Sequence, residues 1–369
     1  MLEGRVEGHP QLLKQLGLGP FRQRLPWWGG DLQTLRDTLR RVSLPEDHGQ
    51  PIEIPVPALA SGAAGPGKLL AMLDLPLGQA APLALVLMLH GLGGSSRREG
   101  LRRMAIVFQQ AGFAVLRLNL RGADPGRQLA GGTYAAECNS DLGPVLQHAR
   151  QLCRQLAEDS AAPRQTLPLL GAGISLGGTM LLNACLQLPQ PGHPQGSVLD
   201  GLVCLSSPLD LDACSRSIER PRNRIYKNWL LKRLVRQTLA DPYGVSEAEQ
   251  RALGEEEGPP ASMRAFDAAI TAPRWGYADV ESYYRGTSPL PALLENPGRL
   301  PQTLVMQAMD DPWVPVAAAQ QLAKHLASSS AGPLQVLLTE HGGHNGFHGT
   351  AGCWGDQLAV NWLLKLAGC

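Results

Sequence analysis

Short, predominantly apolar runs recur along the chain, spaced widely enough to leave room for a helix between them. Leu83–Leu89, Phe113–Leu120, Leu167–Leu170, Leu202–Leu205, Thr303–Ala308 and Leu334–Leu338 are of this kind. A continuous apolar run predicts a strand covered on both faces, as in a parallel sheet with helices on either side. Segments with helical spacing of apolar residues fall between or after them, at Arg102–Ala111, Leu142–Leu156, Leu181–Leu186, Val316–Leu326 and Gln357–Leu366. The alternation predicts an α/β fold with a mostly parallel central sheet. Upstream, Ile52–Val56 and Leu69–Leu75 flank the turn-rich segment Ala60–Gly67 and predict two antiparallel strands.

Between Pro208 and Leu300 this rhythm breaks. Arg220–Leu239 predicts a basic amphipathic helix, with Leu230, Leu231, Leu234 and Val235 on one face and Lys227, Lys232, Arg233 and Arg236 elsewhere. An acidic, proline-rich patch (Glu247–Pro260) follows, then an aromatic stretch with Phe266, Trp275, Tyr277, Tyr283 and Tyr284. An insertion ahead of the last strands is where a lid would sit. The expected division is an N-terminal arm (1–25), a core (26–207 and 301–369) and a lid or cap insertion (208–300). Met1–Gly19 reads as a weakly ordered tail or a short helix. The adjacent Trp27 and Trp28 read as an apolar anchor pinning the arm to the body, in preference to a ligand-stacking pair.

With 369 residues, 44% of them hydrophobic, the chain can bury the core of one large domain with an insertion. A formal net charge of +1 offers no general attraction for nucleic acid, and none is expected as a partner. Seven cysteines without a C-x-x-C pair fit reduced thiols better than disulfides or a zinc site. The N-terminus lacks an apolar core of signal-peptide length, and no run is long enough to span a bilayer, so a cytoplasmic location is expected. A solvated face is the preferred reading of the basic helix, with weak contact to an anionic membrane surface as the alternative.

Candidate chemistry centres on Gly173-Ile174-Ser175-Leu176-Gly177. An apolar strand before it and a helix after it predict a sharp corner with Ser175 at its tip. Glycines two positions either side would relieve crowding there. The corner also puts the Leu176 N–H at a helix N-terminus, where it can meet a developing oxyanion. The strand Leu83–Leu89 ends in His90-Gly91-Leu92-Gly93-Gly94. That loop lacks the ending of a P-loop and suits a second oxyanion donor, with Leu92 as the donor and His90 as a structural residue. Downstream, strand, Asp310-Asp311, strand and His341-Gly342-Gly343-His344 reproduce the late half of a Ser…Asp…His order. His341, His344 and His348 are also candidate metal ligands, but Gly342, Gly343 and Gly346 disfavour a helix that would align them, and no carboxylate or cysteine completes a set. No metal and no cofactor is expected.

These motifs together resemble the α/β-hydrolase superfamily, in the branch called embryogenesis-associated or YheT-like hydrolases, related to the mammalian abhydrolase-domain lipid hydrolases. The resemblance rests on His90-Gly91-Leu92-Gly93-Gly94, Asn119-Leu120-Arg121-Gly122, Gly173–Gly178, Asp310-Asp311-Pro312 and Gly342–Phe347. It runs from about Pro26 to the C-terminus. It implies a charge-relay enzyme acting on small-molecule carboxylic esters, with Ser175, His344 and Asp311 as the triad. Asp311 is preferred over Asp310 because hydrolases of this type place the acid four residues before a proline, here Pro315. Asp310 is then expected to cap the turn. Acyl transfer on the same triad, and a non-catalytic ligand-binding protein on the hydrolase fold, are the alternatives. The tryptophan-rich start and the acidic, proline-rich segment have no counterpart in the family pattern.

Overall fold

The computed structural model describes residues 9–78, 81–158, 165–189, 197–255, 259–328 and 332–368. The first eight residues of the expected arm and residues 256–258 of the acidic patch lie outside them. Strands Gln50–Val56 (β1), Gly67–Asp74 (β2), Leu85–Leu89 (β3), Ala114–Leu118 (β4), Leu169–Ile174 (β5), Gly201–Leu205 (β6), Gln302–Ala308 (β7) and Leu334–Thr339 (β8) form one sheet. Their order is β1-β2-β4-β3-β5-β6-β7-β8. From β4 to β8 the pairing is parallel, while β2 joins β1 and β4 in antiparallel fashion. Pro51 and Pro55 sit on the edge strand β1, where a missing N–H can face away from the ladder.

Every residue of β3, β4 and β6 is buried. Alternate side chains of β3 enter two cores. Leu85, Leu87 and Leu89 pack under helices Asn139–Glu158 and Leu176–Gln187, and Val86 and Met88 under helices Glu99–Gln110 and Trp354–Ala367. The one charged residue of β4, Arg117, is neutralised by Asp74 (Nε–Oδ2 2.6 Å) and Asp47 (Nη2–Oδ1 2.7 Å). A buried guanidinium is tolerable only with partners of this quality.

Three local expectations are corrected. The strand expected over Leu167–Leu170 begins instead at Leu169 and runs on through Gly171 and Gly173 to Ile174. These two residues are small because neighbours crowd in: a Cβ on Gly173 would lie 2.3 Å from Gly178 Cα, and one on Gly171 2.6 Å from Leu199. From sequence, Arg121–Arg127 and Ala130–Tyr134 read as one long polar loop, but the segment is largely buried. Arg121 is 1% exposed and fastens it through paired bonds to Asp141 (2.9 and 2.7 Å) and further bonds to the carbonyls of Gly131 and Pro57. Of the two tryptophans, Trp27 is buried but Trp28 is 59% exposed, so a single ring anchors the segment.

Helix His9–Gln15 lays Leu12 and Leu13, and the turn after it Leu16, into the core beside helix Trp354–Ala367. Between β6 and β7 the described residues form several helices and no strand, among them helices Leu211–Ile218, Arg224–Leu239 and Val280–Thr287. Ile218, Leu230, Leu234, Met263 and Phe266 form a separate apolar cluster, whereas Val280, Tyr283 and Tyr284 join the core that holds Leu85, Leu87 and Leu89. Among the described residues no helix is long and apolar enough to cross a membrane.

Candidate active site

Ser175 stands where β5 turns into helix Leu176–Gln187, with φ 53° and ψ −126°. That conformation is costly for a residue with a Cβ, and the surroundings hold it in place. The Ser175 N–H donates to Leu205 O at 2.8 Å. The glycines after the corner are obligatory for close approach: a Cβ on Gly177 would lie 2.5 Å from Leu89 O, and one on Gly178 2.0 Å from Ser207 Oγ. The strand-to-helix corner read from the sequence is therefore present, with its strain localised on Ser175.

The structure brings Ser175, His344 and Asp311 into one chain of contacts. His344 Nε2 lies 2.9 Å from Ser175 Oγ, and His344 Nδ1 lies 2.9 Å from Asp311 Oδ2. The Asp311 side chain is fully buried and that of His344 is 5% exposed. Asp311 is held by donors of its own turn: Oδ1 accepts the N–H of Trp313 (2.8 Å) and of Val314 (3.0 Å), and Oδ2 accepts from Gln307 Nε2 (3.0 Å). The expectation that Asp310 caps this turn is thereby corrected. Asp310 instead reaches across to the next loop, where Oδ1 accepts the Gly343 N–H at 2.8 Å and Oδ2 lies 3.3 Å from His341 Nδ1. A one-residue step along the turn points the two carboxylates at different loops.

The three histidines do not converge. His341 is about half exposed beside Asp310, whereas His348 is buried and lies 3.1 Å from Asp37. Among the described residues no group of three or more His, Cys, Asp or Glu is arranged to hold a metal ion.

Beside Ser175 runs the loop after β3. A Cβ on Gly91 would lie 2.9 Å from Ser175 Cβ, so only glycine permits this approach. The Gly93 N–H donates to Tyr134 Oη and the Gly94 N–H to Gly91 O, while the Leu92 N–H has no acceptor among the described residues. The Leu176 N–H, in the first turn of its helix, likewise has no carbonyl one turn behind it. His90 braces the loop from below: its Nε2 accepts the Leu120 N–H (3.2 Å) and its Nδ1 lies 2.9 Å from Gly91 O. Burial pulls the His90 imidazole down to about 4, with nearby Arg233 and Arg98 acting in the same direction against the raising effect of the Gly91 carbonyl. A neutral ring with Nδ1–H donating and Nε2 accepting fits both bonds.

Several residues of the site had no signal in the sequence reading. Helix Gly30–Leu39 clasps the histidine loop: Thr34 Oγ1 accepts the His344 N–H at 2.8 Å, and Gln33 Oε1 accepts the His348 N–H at 2.8 Å. A Cβ on Gly343 would lie 2.3 Å from Gly30 O, so the two segments touch backbone to backbone. The Trp313 indole stacks on the His344 imidazole with centroids 4.5 Å apart. Trp313 stands inside the Asp311-Pro312-Trp313-Val314-Pro315 turn, but nothing local marks its ring as a platform.

Two cavities meet at Ser175 and His344. The first runs under the helices between β6 and β7 and is lined by Leu92, Leu176, Leu230, Leu234, Phe266 and Tyr283. The second is more polar and is lined by His90, Arg98, Asn345 and Asp356, among others.

Comparison with known proteins follows the same lines. A family profile described as "alpha/beta hydrolase fold" matches residues 84–349. YheT of Escherichia coli (strain K12), provisionally named an esterase, is 30% identical over 285 residues, covering 74% of each chain. "Phospholipase ABHD3" of Homo sapiens is 27% identical over 275 residues, which are 74% of this chain and 60% of that protein. "Medium-chain fatty acid ethyl ester synthase/esterase 2" of Saccharomyces cerevisiae is 27% identical over 259 residues, 63% of this chain and 52% of its own. The chain thus spans little more than half the length of the last two relatives. Among solved structures, an esterase of Pyrococcus furiosus superposes with a TM-score of 0.50 at 14% identity, covering 88% of this chain and 97% of that one, a likeness of fold.

Proposed function

Because the chain belongs to the α/β-hydrolase-fold family, in its YheT-like branch, we propose that it is a serine hydrolase cleaving carboxylic esters through an acyl-enzyme. The observation that carries this reading is the relay Ser175 Oγ–His344 Nε2 and His344 Nδ1–Asp311 Oδ2, each 2.9 Å long. Relatives named as esterase and phospholipase support ester or lipid substrates.

Asp311 accepts the Nδ1–H of His344 and so leaves Nε2 unprotonated towards Ser175. Ser175 Oγ attacks the acyl carbonyl carbon while its proton passes to Nε2. The carbonyl electron pair moves onto oxygen, where the Leu92 and Leu176 N–H groups stabilise it. Collapse re-forms the carbonyl and breaks the ester C–O bond, and the alkoxide leaves with the proton from Nε2. Water then repeats the sequence on the acyl-serine, releasing the acid and Ser175. The apolar cavity suits the acyl chain, and the polar one suits the departing alcohol. The segment 208–300 acts as the cap over the acyl side.

An alcohol in place of water gives acyl transfer with the same atoms. Similarity to a yeast protein named as both synthase and esterase favours testing it. The outer face of helix Arg224–Leu239 exposes Ile225 and Trp229 among cationic residues, which supports weak contact with an anionic membrane surface.

The test is labelling by a fluorophosphonate together with hydrolysis of p-nitrophenyl esters of graded chain length. Wild type should label and turn over, and a folded Ser175→Ala protein should do neither, losing several orders of magnitude in rate. A wild-type protein that stays unlabelled would point instead to a ligand-binding protein on a hydrolase fold. Added ethanol that yields ethyl ester at the expense of free acid would establish transfer.

A further inference from the structure

The acyl-side cavity contains one carboxylate that the reaction does not use. Asp267 lines it together with Ser175, Phe266, Tyr283 and Tyr284. It opens a π-helical turn, Asp267–Thr271, that sits between the short helices Met263–Phe266 and Ala272–Arg274. The wider turn sets Asp267 against Thr271, four residues on, and Thr271 Oγ1 donates to Asp267 Oδ1 at 2.8 Å. Tyr284 Oη donates to Asp267 Oδ2 at 2.8 Å and lies 3.2 Å from Ser215 Oγ. Both partners are neutral hydroxyls. No Lys, Arg or His among the described residues forms an ion pair with Asp267, although the chain supplies cations to many other acidic groups.

A carboxylate oxygen pair offers about four acceptor sites, and two hydroxyl donors leave capacity unfilled. An apolar cavity wall gains nothing from such a group, because an unpaired charge facing hydrocarbon is penalised. Burial accordingly pushes the Asp267 carboxyl up to about 6, against the lowering effect of its two hydroxyl partners. It is still mostly ionised at pH 7.5. A hydrocarbon acyl chain would exclude water and raise the cost further, whereas a chain carrying its own donor would meet the free acceptor sites. Phe266, Tyr283 and Tyr284 line the same cavity, and an ammonium would add a charge opposite to that of the carboxylate.

We propose that Asp267 is a specificity-determining residue of the acyl-side cavity, selecting chains that bear a hydrogen-bond donor, hydroxyl or ammonium, over plain hydrocarbon chains. The proposal rests on the hydrolase reading only in calling this the acyl side; the recognition itself requires no reaction.

Binding therefore tests it first. Calorimetry compares 1-methoxyheptane, 6-methoxyhexan-1-ol and 6-methoxyhexan-1-amine, which share length and a methoxy end that carries no donor, and differ only in the terminal methyl, hydroxyl or ammonium group. Wild type should bind at least one of the two donor-bearing compounds about tenfold or more tighter than 1-methoxyheptane, and Asp267→Asn should lose most of that preference. Which of the two prevails separates hydroxyl from ammonium recognition. The second measurement is the ratio of kcat/KM for p-nitrophenyl 6-aminohexanoate and 6-hydroxyhexanoate to that for the isosteric heptanoate, in both proteins. Retained binding preference without turnover of any ester would sink the hydrolase reading and leave the subsite standing. Equal or tighter binding of 1-methoxyheptane by wild type, a result independent of how any variant folds, overturns the subsite. So does a preference that Asp267→Asn keeps in full.

Discussion

Thr34 Oγ1 accepts the backbone N–H of His344 at 2.8 Å, while its own hydroxyl donates to Gly30 O at 2.6 Å. The bond joins residues 310 positions apart and ties the His344 loop to a helix that precedes the whole sheet. In the proposed mechanism Thr34 is a positioning residue that acts through the His344 backbone. Thr34→Val should lower kcat about tenfold, the worth of one buried hydrogen bond, while KM barely moves. Thr34→Ser should restore kcat. Steady-state kinetics on a p-nitrophenyl ester checks both, and a change confined to KM would show that Thr34 shapes the cavity instead.

Asp311 and Asp310 serve different loops, so isosteric amides at the two positions should part company. Asp311→Asn keeps the turn but offers His344 Nδ1 an amide, which favours the wrong tautomer. A loss of about 10⁴ in kcat is expected by analogy with serine proteases. Asp310→Asn retains an oxygen for the Gly343 N–H and should stay within a few-fold of wild type. Asp310→Ala removes that acceptor and should fall between. The reverse ranking of the two amides would overturn the assignment.

Single Gln substitutions at the three histidines separate their roles. His344→Gln should abolish turnover and probe labelling. His341→Gln, half exposed beside Asp310, should leave both nearly intact. His348→Gln disturbs a buried contact with Asp37 and should show itself as a lower melting temperature before it shows as lost chemistry. Inactivity confined to His341→Gln would refute this order.

His90 makes stability depend on pH. Its folded value of about 4 lies below the ordinary 6.5. Between those values the unfolded chain binds a proton that the folded one refuses. The contribution is complete above pH 6.5 and declines as the pH falls towards 4. Between pH 7 and pH 5 the loss from this group is about 2 kcal/mol. Urea unfolding of wild type and His90→Asn at both pH values isolates it: the variant should lose about 2 kcal/mol less on acidification. Equal losses in the two proteins would mean that His90 takes up its proton as readily in the folded chain as in the unfolded one.

Much of the molecule is legible from short stretches of chain, because the physics there is local. Apolar runs with helical segments between them mark strands covered on both faces, and six of the eight strands follow from that pattern alone. The corner at Ser175 is legible because crowding at a strand-to-helix turn acts within two or three residues and only glycine relieves it. The order of serine, acid and histidine needs no coordinates either, since each follows its own strand towards the same sheet edge. Tertiary structure decided what depends on atoms far apart in sequence. Thr34 carries no mark of its partner, because a hydroxyl on a helix face looks alike whether it meets water or the His344 N–H. Arg121 and its neighbours read as a polar loop, since only the folded chain brings Asp141 close enough to bury the charge. The cavity around Asp267 has the same origin: helices separated in sequence enclose it, and a carboxylate is indistinguishable from a surface one until the walls that isolate it are in place.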